Sequence, residues 1–201
     1  MQLSTLQDAP AVRRSGNVEA RELELPGVLL VTTRRFSDAR GFFTETYNRR
    51  DFVAVGIDHD FVQDNQSLSR PAGTVRGLHF QTPPHAQAKL IRVLRGAILD
   101  VVVDLRASSP TFGQHCAVEL RGTDDQQFFI PEGFAHGFCT LEPDTEITYK
   151  VTDLYAPDCD RGLAWDDPEL GIAWPVAPEA ALLSDKDRRQ PKLRDLPRIF
   201  G

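Results

Sequence analysis

A histidine and a lysine ten residues apart, His79 and Lys89, stand in the stretch TVRGLHFQTPPHAQAKLIRVLR from Thr74 to Arg95. A neutral imidazole is a base near neutral pH, and an ammonium is a fixed positive charge. Together they suit removal of a proton from a carbon beside a carbonyl and stabilisation of the enolate that results. Strand alternation places Arg76, Leu78 and Phe80 on one face and Val75, Gly77, His79 and Gln81 on the other. In the returning strand Lys89, Ile91, Val93 and Arg95 share a face, and Pro83-Pro84 breaks the ladder between the two strands. The stretch is therefore expected to be an antiparallel hairpin with its turn at Thr82–His85. The same pattern also fits a partly exposed hairpin whose histidine and lysine do no chemistry.

Those residues need a scaffold, and the rest of the chain describes one. Turn-forming residues recur every 8 to 12 positions, helical periodicity is scarce and no repeat is present. Strands are expected over Gly27–Thr33, within Phe36–Asn48 after a turn at Asp38–Gly41, and over Phe61–Ser69. Further strands are expected over Ala97–Leu105, within His115–Leu120, Gln126–Pro131 and Ala135–Glu142, and over Thr145–Tyr155. In Phe61–Ser69 the face bearing Gln63, Asn65 and Ser67 is polar, which suits either solvent or a pocket wall. The expectation is an all-β jelly-roll sandwich or barrel with short peripheral helices. One helix is expected at Asn48–Gly56, closed by its glycine, and a second, capped by Ser184 and stopped by Pro191, in an irregular C-terminal tail beginning at Pro157. Residues 1–18 are polar and expected to be a loose extension, leaving 19–201 as a single domain.

Composition narrows the classes of function. The 201-residue chain carries a formal charge of −6, which argues against sequence-independent nucleic-acid binding. No apolar run approaches the roughly 18 residues of a membrane span, and the N-terminus has no apolar leader, so a soluble cytoplasmic protein is expected. Cys116, Cys139 and Cys159 are odd in number and lack C-x-x-C spacing, so buried free thiols are expected rather than disulfides or a zinc ribbon.

His136 lies in P-E-G-F-A-H-G-F, which resembles the second motif of the cupin barrels. The first metal-cupin motif supplies H-x-H and a glutamate; here it is L-H-F-Q, with Gln81 in place of the second ligand, and no metal is expected. R-G-L-H-F-Q followed by Lys89, then I-P-E-G-F-A-H-G-F, T-Y-K and S-x-K-D-x-x-x-P, together resemble the dTDP-4-dehydrorhamnose 3,5-epimerases of the cupin superfamily, from about Phe36 to Pro191. The resemblance implies epimerisation at C3 and C5 of a dTDP-4-keto-6-deoxyglucose, without cofactor or metal, in a homodimer that exchanges N-terminal strands.

Carried over by position, the resemblance makes His79 the base and Asp187 the carboxylate that orients it, though Asp187 also fits a helix cap with Ser184. Lys89 would stabilise the enolate and Tyr149 would return a proton from the opposite face; the alternative for Tyr149 is an ordinary strand aromatic. Tyr155 would stack on thymine, and Arg40, Glu45, Gln63, Asp64, Asn65, Arg76 and Lys186 would contact substrate. His136 would line the pocket and hydrogen-bond without exchanging protons. Asp160 stands where the family often has a glutamate, which puts its contact in question. Two alternatives share these residues: an epimerase acting at C3 or C5 alone, and a non-catalytic cupin that binds sugar nucleotides. A metal-dependent cupin isomerase or dioxygenase is a third.

Overall fold

The computed structural model describes residues 11–201. It opens on a hairpin of β1 (Val12–Ser15) and β2 (Val18–Glu22), closed by Gly16-Asn17 with Gly16 at φ 53°. That left-handed conformation is what a two-residue hairpin turn requires. Residues 12–18, expected within a loose extension, belong instead to this hairpin, and residues 1–10 of that expected extension lie outside the described ones. Next come β3 (Leu29–Thr33), the paired ribbon β4 (Arg35–Asp38) and β5 (Gly41–Thr44), and helix α1 (Arg49–Ala54). The Asn48 side chain caps α1 by accepting from the Asp51 N–H at 2.9 Å.

The remaining strands are β6 (Gln63–Ser69), β7 (Val75–Gln81), β8 (Lys89–Arg95), β9 (Ala97–Asp104), β10 (His115–Arg121), β11 (Gln126–Ile130), β12 (Phe134–Thr140), β13 (Thr145–Val151) and β14 (Asp160–Gly162). They form two facing antiparallel sheets. One has the order β1-β2-β3-β11-β8-β13-β6 and the other β10-β9-β12-β7-β14, the jelly-roll arrangement expected.

Alternate residues of both sheets fill the space between them, among them Leu30, Ile91, Val93, Val102, Phe128, Phe134 and Ile147. Each such fully buried aliphatic or aromatic side chain contributes about 1.5–3 kcal/mol. Outside the larger sheet, Phe52 and Val55 pack on Val31, Leu90 and Phe129. Outside the smaller sheet, the tail lays Leu163 and Leu170 on Leu78, Phe80, Val101 and Val103. Strand β9 is covered on both faces, which explains its unbroken apolar run Val101–Val103.

Three expectations are corrected. The Thr74–Arg95 stretch is not a hairpin: β7 pairs with β12 and β14, whereas β8 pairs with β11 and β13 in the opposite sheet. Residues 82–88 cross between layers, so His79 and Lys89 meet across the sandwich rather than along a ladder. The face assignment of Arg76 also changes. His136 lies opposite His79 and Phe138 opposite Arg76, so three steps along β7 match two along β12. This bulge turns Arg76 to the same inner side as His79. Finally, the helix expected before Pro191 is a single 3-10 turn over Asp187–Arg189, because Asp187 is drawn to β7.

Candidate active site

The bulge in β7 organises the site. Gly77 sits at φ 129°, and a Cβ there would lie 2.5 Å from the Gly137 Cα and 2.8 Å from the His136 carbonyl oxygen. Glycine in both R-G-L-H and A-H-G-F therefore lets β7 and β12 approach closely at this point. The outer edge of β7 is shared among partners. Val75 N–H donates to the Leu182 carbonyl at 2.9 Å, β14 pairs with His79–Gln81, and the Gly77 N–H between them donates to the Asp187 carboxylate.

Asp187 is held from three sides. Its backbone N–H donates to Ser184 Oγ at 3.1 Å, and its Oδ1 lies 2.5 Å from His79 Nε2. The cap and the histidine pair, alternatives in the sequence, coexist: the backbone serves one and the side chain the other. Burial pushes the Asp187 carboxyl up, but the hydrogen bond and charge of His79, with Ser184 and Gly77, outweigh it and hold the group below the ordinary carboxylate range. An ionised partner on Nε2 fixes the imidazole orientation and stabilises its protonated form.

Lys89 and Tyr149 face His79 from the other sheet. Burial lowers the Lys89 ammonium from 10.5 to about 8, against the attraction of Asp160 and Asp100 and with the repulsion of Lys186. At pH 7 such a group still holds its proton in about nine molecules of ten. Burial raises the Tyr149 phenol, while Arg76 pulls it down by a smaller amount, so it is a proton donor at neutral pH.

These three side chains stand where two compartments of one cleft meet. The first, about 400 Å³, adds Gln63, Asn65, Tyr155, Asp160 and Lys186. The second, about 340 Å³, adds Ser67, Arg76, His136 and Phe138. In the first, Tyr155 Oη donates to Asp160 Oδ2 at 3.1 Å, and Asp160 also pairs with Lys186. In the second, Arg76 Nε donates to Ser69 Oγ at 3.0 Å, and His136 Nε2 lies 2.5 Å from Asp100 Oδ1.

Three sequence candidates lie elsewhere. Asp64 alternates to the outer face of β6 and accepts from Lys150 Nζ at 2.9 Å, so its side chain does not line the cleft as expected. Arg40 pairs with Asp38 at the tip of the β4–β5 ribbon, away from the cleft of its own chain, and Glu45 bonds to Asn48 beside α1. Asp100 was missed. A carboxylate inside the apolar run AILDVVVD must be buried, and burial demands a partner; that reasoning leads to His136. Among the described residues no group of three or more His, Cys, Asp and Glu side chains is arranged to hold a metal ion, and no helix is long and apolar enough to cross a membrane.

Comparison with known proteins places these residues in context. Residues 22–195 match the profile of the family described as dTDP-4-dehydrorhamnose 3,5-epimerase. A curated protein of that name from Sinorhizobium fredii is 49% identical over 180 residues, covering 90% of this chain and 92% of the relative. The crystal structure of the Bacillus anthracis protein of that name, with TDP and PPi bound, superposes with a TM-score of 0.85 at 50% identity, covering 88% of this chain and 99% of that one. A dTDP-6-deoxy-D-glucose-3,5-epimerase from Legionella pneumophila, in complex with dTDP-4-keto-L-rhamnose, gives a TM-score of 0.84 at 39% identity, covering 90% and 95%.

Proposed function

The chain belongs to the dTDP-4-dehydrorhamnose 3,5-epimerase family, and from that membership we infer that it catalyses epimerisation at C3 and C5 of dTDP-4-dehydro-6-deoxy-D-glucose, giving dTDP-4-dehydro-L-rhamnose. The observation that carries the mechanism is the placement of His79 on one sheet and of Lys89 and Tyr149 on the facing one, at the junction of both compartments. A sugar ring between the sheets has a base on one face and an acid on the other.

In the proposed reaction His79 removes the proton on C5 or C3. The electron pair of the C–H bond moves into the ring, and the C4 carbonyl becomes an enolate. Asp187 stabilises the imidazolium, and the Lys89 ammonium meets charge that exists only beyond the ground state. Tyr149 then gives its proton to the same carbon from the opposite face, which inverts it. Imidazolium and phenolate return to their starting states by proton exchange with solvent, and the second centre follows. Gln63, Asn65, Arg76, His136, Asp160 and Lys186 bind the sugar and diphosphate, and Tyr155 stacks on the base. No metal or other cofactor takes part in these steps.

The reading extends to a homodimer. Phe36, Phe42 and Phe43 on the β4–β5 ribbon are 41%, 57% and 68% exposed, far from what three phenylalanines would adopt without a partner surface. Arg40 and Glu45, which match substrate-contacting positions, are carried on or beside this ribbon and outside their own cleft. In the proposed dimer the ribbon reaches the cleft of the second copy. Residues 12–201, from β1 onward, act as one folded unit, and the enzyme works in the cytoplasm.

Incubation with dTDP-4-dehydro-6-deoxy-D-glucose in deuterium oxide, followed by NMR, tests the activity: deuterium at both C3 and C5 is expected. Deuterium at C3 alone would favour an enzyme acting on one centre. Subunit mixing tests the dimer. His79→Ala and Arg40→Ala homodimers should both be impaired. Co-refolded mixtures should regain about a quarter of normal activity, because half the dimers are hybrid and each hybrid has one intact site. No regain from two impaired homodimers would place Arg40 in its own cleft, and an unimpaired Arg40→Ala homodimer would place it outside any site.

A further inference from the structure

Gln81, the last residue of β7, does no proton chemistry, yet it is 5% exposed and all its polar atoms are used. Its Nε2 donates to the His85 carbonyl at 2.7 Å and to the Leu154 carbonyl at 3.2 Å, and its Oε1 accepts from the Ala156 N–H at 2.8 Å. Two donors and an acceptor in one plane are the inventory of a primary amide. The bonded residues Leu154 and Ala156 flank Tyr155, so a single side chain grips the backbone on both sides of the aromatic residue.

Apolar packing does little to hold that backbone in place. Leu154 and Tyr155 are 59% and 60% exposed, so hydrophobic burial does not anchor this segment, which follows the end of β13 without regular structure. The other ties are the Tyr155 N–H to Gln63 Oε1 at 3.1 Å, the Tyr155 hydroxyl to Asp160, and two bonds to near neighbours in the chain, the Leu154 N–H to Asp153 Oδ1 at 2.7 Å and the Cys159 N–H to the Ala156 carbonyl at 2.9 Å. Among the described residues, Gln81 is thus the one side chain from the sheet that grips both flanks of Tyr155. We propose that Gln81 is a positioning residue: it fixes Tyr155 as the aromatic wall of the nucleotide end of the cleft and thereby sets affinity for the nucleotide half of the substrate. The inference rests on the reading of Tyr155 as the base-stacking residue.

Two substitutions separate this role from a catalytic one. Gln81→Glu keeps shape but offers only acceptors, one of them to the Leu154 and His85 carbonyls; Gln81→Met keeps length and burial without hydrogen bonds. Each is expected to raise the Kd for dTDP, by calorimetry, and the KM for substrate by about tenfold, with kcat within about twofold of the unaltered enzyme. Tyr155→Ala should weaken dTDP by a similar or larger factor. The double variant should bind no more weakly than Tyr155→Ala alone, because the grip matters only through the ring it positions.

A fall in kcat at unchanged KM would overturn the inference, and so would losses that add in the double variant. Tyr155→Ala binding dTDP normally would overturn the nucleotide reading of this end of the cleft and the inference with it. A weakened Tyr155→Ala beside normal Gln81 variants would overturn the inference alone. Circular dichroism and thermal melting accompany each measurement. If one Gln81 variant unfolds, the other carries the test; if both unfold, Gln81 serves stability and the positioning role is wrong.

Discussion

His79 and His136 stand directly opposite each other on neighbouring strands, and in each the Nε2 lies 2.5 Å from an aspartate Oδ1. The resemblance ends at the surroundings. The His79 side chain is 31% exposed in the cleft, and its partner Asp187 comes from the tail and is also bonded by Ser184 and Gly77. The His136 side chain is 10% exposed, and its partner Asp100 is fully buried on β9 with no hydrogen-bond partner for Oδ2 among the described residues. Four residues along the same strand, Asp104 shows what a structural carboxylate looks like. Burial pushes it up, but Arg106, Thr111 and Ser109 bring it down to about 2. A carboxylate fully satisfied by the fold holds its partner in one geometry. Asp100, bonded on one oxygen only and buried on β9, attracts the Lys89 ammonium and so helps it hold its proton. In the proposed mechanism the first pair moves a proton, and the second binds and sets the field.

The largest expected separation between the pairs comes from removing each imidazole. His79→Ala should cost about 10²- to 10⁴-fold in kcat, the usual range for a lost general base, and deuterium exchange at C3 and C5 should vanish together. His136→Asn should cost about tenfold or less, mainly in KM, as the loss of a binding hydrogen bond does. Equal losses in kcat for the two variants would erase the distinction.

A finer separation comes from pH. Lys89 must be protonated to meet the enolate, and its ammonium titrates near 8. The kcat/KM profile, which reports the free enzyme, should therefore fall as pH rises through about 8. Asp100 raises the Lys89 value, so Asp100→Asn should move this descending limb to lower pH. Asp187→Asn should reduce kcat/KM at every pH and leave the limb in place, since Asp187 acts through His79. A limb that ignores Asp100→Asn would mean that the second pair does not set the field around Lys89.

The smallest expected effect concerns the scaffold. Asp64→Asn should change KM by less than about twofold, because the side chain pairs with Lys150 on the outer face of β6.

Much of this was legible in the chain. Residue types and spacing identified β3 and the strands from β5 to β13 but not β1, β2, β4 or β14, which are short or lie in stretches without clear alternation, and the polar face Gln63–Asn65–Ser67 is the cleft wall because β6 alternates without interruption. The misplacements came where alternation is broken or is not the deciding rule. A bulge at Gly77 cannot be counted from periodicity, so Arg76 was assigned to the wrong face. Two consecutive prolines end a ladder but do not say whether the chain turns back or crosses to another sheet, and here it crosses. The capping pattern from Ser184 to Asp187 does form, yet the tertiary bond to His79 takes the side chain and leaves only one turn. Asp64 failed for the opposite reason: alternation alone turns it outward, and its position beside two cleft residues outweighed that simple count.

The division of labour across the cleft is tested most directly by the ratio of exchange to inversion in Tyr149→Phe, measured by NMR in deuterium oxide. With His79 and Lys89 intact the enolate still forms and can be reprotonated on its original face. Wash-in of deuterium should therefore persist while formation of inverted product falls by about 10²-fold or more. If Tyr149→Phe loses exchange as completely as His79→Ala while still binding dTDP, Tyr149 takes part in the first proton abstraction, and the assignment of base and acid to the two sheets is wrong.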